Sequence, residues 1–185
     1  TQNTMGICDS KFIDREDKYG MIEWYMEAEN YVQLSVLISN PNFNYMEKIP
    51  VEFHKKNSSC SYLHLAAKFD SVMFINMWLQ KRYPVNVTDY RGWSALHWTV
   101  YYNSPNAFLL LLKSGIPLNI SCQYIFKRKN QHLLGKSAVE MMYLLKRNDI
   151  IEIYDNYHTS RLNMGNSTYV REEEYIQEGE RDIPN

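Results

Sequence analysis

The chain has 185 residues with 45% apolar and 22% charged side chains, a globular balance at a length that can bury a core, which excludes collagen, coiled coil and wholesale disorder. With 20 Lys and Arg against 21 Asp and Glu, the net charge is −1, and a nearly neutral chain exerts no global field on nucleic acid or an anionic membrane. Cys8, Cys60 and Cys122 are odd in number and widely spaced, with no C-x-x-C pair, which argues against a disulfide framework or zinc module and fits a reducing compartment.

Residues 1–18 are expected to form a lead-in. Thr1 to Ser10 has no basic stretch followed by an apolar run, so no secretory signal is expected there. The first residue is Thr1 rather than Met, which fits a piece of a longer protein. From Tyr19 to Tyr45 the pattern predicts a first helical unit, with Glu23, Glu27 and Glu29 suited to a solvated end. Met46 to Lys55 is an inserted connection.

The second unit opens at Ser61, a suitable helix cap, followed by Leu63, Ala66 and Ala67 on one face. Val72, Phe74, Ile75, Trp78 and Leu79 then recur at helical spacing. The third unit repeats the plan, with Ser94 as cap and Phe108, Leu109, Leu111 and Leu112 in its second helix. Gly115 is placed to end that helix in a left-handed conformation. The run Ala107 to Leu112 is far too short to span a bilayer. Gln123 to His132 is a second insertion, and a fourth unit starts at Gly135. From residue 156 the chain turns acidic, with Glu172, Glu173, Glu174, Glu178, Glu180 and Asp182 against Arg161, Arg171 and Arg181.

Two independent anchors fix the period. His64 and His97 are 33 residues apart, and so are Asn86 and Asn119 in the Pro-x-Asn segments. Gly92 and Gly135 are 43 apart, one period plus the second insertion. Ser61-Tyr62-Leu63-His64-Leu65-Ala66 and Ser94-Ala95-Leu96-His97-Trp98-Thr99 resemble the T-P-L-H-x-A motif of the ankyrin repeat, whose period is 33. The Asp89-Tyr90-Arg91-Gly92 turn and Leu109 to Gly115 are similar to that family as well. The chain departs from the pattern in lacking the motif proline, in Thr99 and Val100, and in Arg82 where the next unit has Gly115.

The resemblance implies an all-α ankyrin-repeat solenoid of about four helix-turn-helix units over residues 19–155, with two enlarged inter-repeat loops and an acidic tail over 156–185. It also implies that His64 and His97 tie neighbouring turns by hydrogen bonds rather than holding a metal or a substrate. No nucleophile elbow, phosphate-binding loop or dinucleotide fingerprint is present, so no catalysis, cofactor or metal is expected. The four N-x-S/T sequons, of which Asn86 and Asn119 share one repeat position, are assigned to the repeat rather than to glycosylation. Phe126-Lys127-Arg128-Lys129 is expected to be a solvated loop.

The expected function is protein–protein recognition in a concave groove. Turn tips and inner-helix faces of the third unit would present Tyr90, Arg91, Trp93, Tyr101 and Tyr102, with Lys68 and Phe69 beside them. Tyr, Trp and Arg are the residue types that dominate binding hot spots. The partner would be a protein or peptide segment, somewhat acidic where it meets Lys68, Arg91 and the basic loop, with neither nucleic acid nor membrane involved. The alternatives are self-association, with the tail docking on a second copy, and a regulatory domain of a larger enzyme. The expected location is intracellular, cytoplasmic or nuclear.

Overall fold

The computed structural model of the chain describes residues 15–50, 59–123 and 128–162. It is a helical array. The helices are α1 (Arg15–Glu27), α2 (Tyr31–Ile38), α3 (Tyr62–Lys68), α4 (Val72–Gln80), α5 (Ala95–Tyr102), α6 (Pro105–Lys113) and α7 (Ala138–Leu144). An eighth, α8, covers residues 148–162, and a 3-10 turn spans Arg128–Leu133. The helices pair as α1/α2, α3/α4, α5/α6 and α7/α8, giving four units. Two features differ from the expected boundaries: α1 starts at Arg15, inside the lead-in, and α8 runs through residue 156 to 162.

The caps follow from the sequence. Ser61, Ser94 and Ser137 precede α3, α5 and α7 in extended backbone, each in a reciprocal capping box with the side chain three residues on. His64 and His97 fill that third position in the two central units, and Glu140 fills it in the last. Asn30 caps α2 through its side chain, and Pro105 opens α6 where its missing N–H costs nothing.

The period of 33 is written into the backbone. The turn from inner to outer helix carries one left-handed residue in each unit: Glu29, Asp70, Asn103 and Lys146. Arg82 and Gly115, 33 apart, both adopt positive φ after the outer helix. Arg82 therefore takes the glycine's conformation at a steric cost of about 1–2 kcal/mol. Gly92 combines positive φ with crowding, because an added Cβ would lie 2.8 Å from Gln123 Cγ.

Between units the chain makes short β-like hairpins. Thr88 bridges Ser94 and Ser121 bridges Ser137. The antiparallel pair β1 (Ile49–Pro50) and β2 (Ser59–Cys60) joins the first insertion, in which β1 lies, to the start of the second unit. Consecutive hairpins join through Tyr90 N to Ser59 O at 3.0 Å and Gln123 N to Arg91 O at 3.0 Å.

The core is continuous along the stack. Small residues Ala66, Ala67 and Ala95 are fully buried, so inner helices approach closely: α3 packs on α5 and α5 on α7. Phe74, Ile75, Trp78, Phe108, Leu111 and Leu112 fill the space under α4 and α6. Phe43 and Tyr45, at the end of the first unit, pack on Tyr62, Phe74 and Trp78. The first unit is a solvated end with apolar groups on it as well. Glu27 and Glu29 are exposed, but so are Trp24, Val32 and Val36, and Glu23 is drawn inward to Lys68.

Candidate partner-binding surface

The hairpin of the third unit is organised by one carboxylate. Asp89 is 6% exposed. Its Oδ1 accepts from Arg91 N at 2.8 Å and Trp93 N at 2.9 Å, which closes the turn at Gly92. Its Oδ2 accepts from Arg91 Nε at 2.9 Å and from Trp98 Nε1 at 3.0 Å. Arg91 NH2 adds an ion pair at 2.8 Å. With the carboxylate holding its Nε and Nη2 edge, the guanidinium carbon sits 3.9 Å from the centre of the Trp93 ring.

Trp93 is therefore not on the surface. It is 1% exposed, which corrects the expectation that it projects outward. Arg91 covers it on one side, the Tyr101 ring lies tilted at 5.3 Å, and its Nε1–H donates to Cys122 Sγ at 2.7 Å. Its side chain is a peg between two hairpins, and an anchor for a partner must have surface to offer.

The other expected residues do share one face. Tyr102 is 42% exposed, and Lys68, Phe69, Tyr90, Arg91 and Tyr101 are half-buried. Lys68 Nζ sits 4.3 Å from the Phe69 ring and 6.0 Å from the Tyr102 ring. Tyr102 packs on Trp98 and on Tyr101. Arg91 reaches the Tyr90 ring at 5.3 Å. The 3-10 turn at the end of the second insertion meets this face where Asn130 Nδ2 donates to Tyr101 OH at 3.1 Å. Of the basic loop, residues 126 and 127 lie outside the described residues.

The electrostatics differ from the expected basic groove. Lys68 Nζ is 2.6 Å from Glu23 Oε1, and Arg91 is held by Asp89, so both cations are compensated within the chain. Burial raises the Tyr90 and Tyr102 phenol pKa values from their ordinary value. Sequence reading missed Glu23, Asp89 and Trp98. The signal for Asp89 was present, since an aspartate two residues before a backbone N–H is the usual maker of an Asx turn. Glu23 lies 45 residues from Lys68 and had no local signal.

His64 and His97 have structural positions. Nδ1 of His64 accepts from Ser61 N at 3.2 Å, and Nε2 donates to Trp93 O of the next hairpin at 2.9 Å. His97 repeats this with Ser94 N at 3.2 Å and Lys136 O at 3.3 Å. Burial pushes both imidazoles down to about 4, so each is neutral and its tautomer is fixed by the carbonyl it meets. Among the described residues no group of three or more His, Cys, Asp or Glu converges, and no helix is long and apolar enough to cross a membrane.

Residues 63–121, the second and third units, match the family model described as ankyrin repeats (many copies). No curated protein matches the chain.

Proposed function

We propose, for a chain that belongs to the ankyrin-repeat family, that the surface formed by Lys68, Phe69, Tyr90, Arg91, Tyr101 and Tyr102 is a groove that holds a segment of another protein. Ankyrin repeats mediate protein–protein interaction, and this chain is a protein-binding module built from them. The observation that carries the site is that six of the seven expected residues gather on one face across two units, with Tyr102 the most open. Exposed aromatics rimmed by polar groups mark interaction sites on soluble proteins. The role of adaptor, inhibitor or scaffold follows from what is held, and the module itself supplies no chemistry to the partner.

The experiment is capture from native lysate with the parent chain and with a Tyr102→Ala, Phe69→Ala variant, both checked for folding by circular dichroism. A partner held by the parent and lost by the folded variant supports the groove. If both capture the same partner, binding occurs elsewhere on the array. Self-association through the tail would appear as a dimer that dissociates when residues after 162 are removed; those residues lie outside the described ones.

A further inference from the structure

Charge is segregated along this chain. Residues 59–162 hold twelve Lys and Arg against six Asp and Glu, a net of +6, while residues 163–185 hold two against six, a net of −4. Residues 1–58 carry −3. An acidic tail is thus attached to the basic part of the array and repelled by the first unit.

That basic part has its rim beside the aromatic face. The fourth unit holds Tyr101 through Arg147, whose NH2 donates to Tyr101 O at 2.7 Å and whose Nε donates to Val100 O at 3.0 Å. The 3-10 turn Arg128–Leu133 meets the same tyrosine through Asn130 Nδ2, 3.1 Å from its hydroxyl. Carbonyls satisfy the hydrogen bonds of Arg147 and leave its charge uncompensated. Lys146, just before it, is exposed. Among the described residues the ion pairs are Lys68–Glu23, Arg91–Asp89 and Lys136–Glu140, so Lys146 and Arg147 have none, although Asp149 and Glu152 follow on α8. At the left-handed turn position of Lys146 the earlier units carry Glu29, Asp70 and Asn103. Positive charge at this position is therefore confined to the fourth unit.

Resting on the groove reading above, we propose that the face is occupied in the resting molecule by this chain's own residues 169–178. Glu172, Glu173 and Glu174 meet Lys146 and Arg147, and Tyr175 and Ile176 cover Tyr102 and Phe69. A partner segment then binds by displacing the tail. No other stretch of the chain has three consecutive carboxylates. The tail lies outside the described residues, and its length suffices. It follows α8, whose fifteen residues, 148–162, extend about 22 Å from their start beside Arg147. Glu172 is ten residues past Leu162, enough for about 33 Å of extended chain.

The test uses the full chain, a full-length Glu172→Gln, Glu173→Gln, Glu174→Gln variant, and a capped synthetic peptide of residues 166–180. Amide shifts of 15N-labelled protein give location, isothermal titration gives affinity, and light scattering gives oligomeric state. The substitutions are expected to move the amides of Phe69, Tyr102, Lys146 and Arg147 in a monomer. The peptide should bind the variant at those residues at least about tenfold more tightly than it binds the parent, whose tethered tail competes at about millimolar effective concentration. Raising salt from about 0.05 to about 0.5 M should weaken that binding by about fivefold or more. Lys146→Glu, added to the variant, should weaken it about tenfold; Glu29 holds the same backbone conformation in the first unit, so the turn tolerates the change. Equal affinity for parent and variant at those residues overturns the resident tail and leaves the groove as a site for acidic segments. A dimer of the parent that the three substitutions dissociate assigns the tail to a second copy and overturns the intramolecular contact. Peptide shifts elsewhere on the array, or no binding to the variant, overturn the tail as occupant. The groove reading is then decided separately, by capture with the Tyr102→Ala, Phe69→Ala variant.

Discussion

At the scale of single residues, the surface depends on one that never reaches it. Asp89 accepts from two backbone amides, a guanidinium and an indole N–H, and each of these groups is part of the aromatic face or supports it. Removing the carboxylate strands a half-buried arginine and three donors, and breaking such a pair typically costs about 3–5 kcal/mol. Asp89→Ala is expected to lower unfolding free energy by that amount in urea titration and to abolish the Arg91–Trp93 stack. Tyr102→Ala, at an open position, should cost about 1 kcal/mol or less. A stability loss for Asp89→Ala no larger than that for Tyr102→Ala would remove the carboxylate from its organising role. The sequence made the face legible through residue type and repeat position, and six of the seven residues lie there. It misplaced Trp93 because the reading took repeat position as a guide to direction. The hairpin sequence does not show that the next hairpin, delivered after Leu118, closes over the indole with Cys122.

At the scale of elements, the repeat carries a capping device that appears only when positions are compared across units. Ser71, Ser104 and Arg147 are equivalent, each one residue beyond the left-handed turn residue. Ser104 Oγ donates to Lys68 O at 3.3 Å, closing the end of α3 from the next unit. Arg147 donates to Val100 O at 3.0 Å and Tyr101 O at 2.7 Å, closing the end of α5. Ser71 is fully buried, and among the described residues its hydroxyl has no hydrogen-bond partner. The junction between the first and second units thus lacks the tie that the later two have. Ser104→Ala should cost about 1 kcal/mol and Arg147→Ala about 1–3 kcal/mol, since a charged donor is involved. Ser71→Ala should leave stability unchanged or raise it by up to about 1 kcal/mol, because it removes a buried polar group that makes no bond. Thermal unfolding of the three variants measures the pattern, and a loss at Ser71 equal to that at Ser104 would contradict it. The helices, their caps and the period were legible because they rest on local spacing. These ties were not, since they join positions 36 and 46 to 47 residues apart.

At the scale of the whole molecule, stability in a repeat array comes from unit–unit interfaces as much as from the units, and two of those interfaces here are bridged by neutral imidazoles. His64 joins the second unit to the third, and His97 joins the third to the fourth. Both bridges need an acceptor at Nδ1 and a donor at Nε2, which only the neutral ring provides. In the unfolded chain each ring titrates near 6.5, and in the folded chain near 4. Between those values the unfolded state binds more protons, so unfolding free energy falls as pH drops from 6.5 towards 4 and is fully present above 6.5. The shift is on the order of 3 kcal/mol for each ring, a large share of the total for a domain of this kind. Glu140 contributes in a lower window. Its carboxylate, held down to about 2 by Ser137 and Lys136, loses its part only as pH falls from 4.5 through 2. Urea midpoints at pH 7.5, 6, 5 and 4 are therefore expected to fall steadily below 6.5, with most of the loss before the carboxylates titrate. His64→Gln should be less stable at pH 7.5, yet lose less on acidification, because one of the two titrating bridges is gone. Equal midpoints from pH 7 to 5, or an unchanged slope in that variant, would show that protons do not act through the histidine bridges.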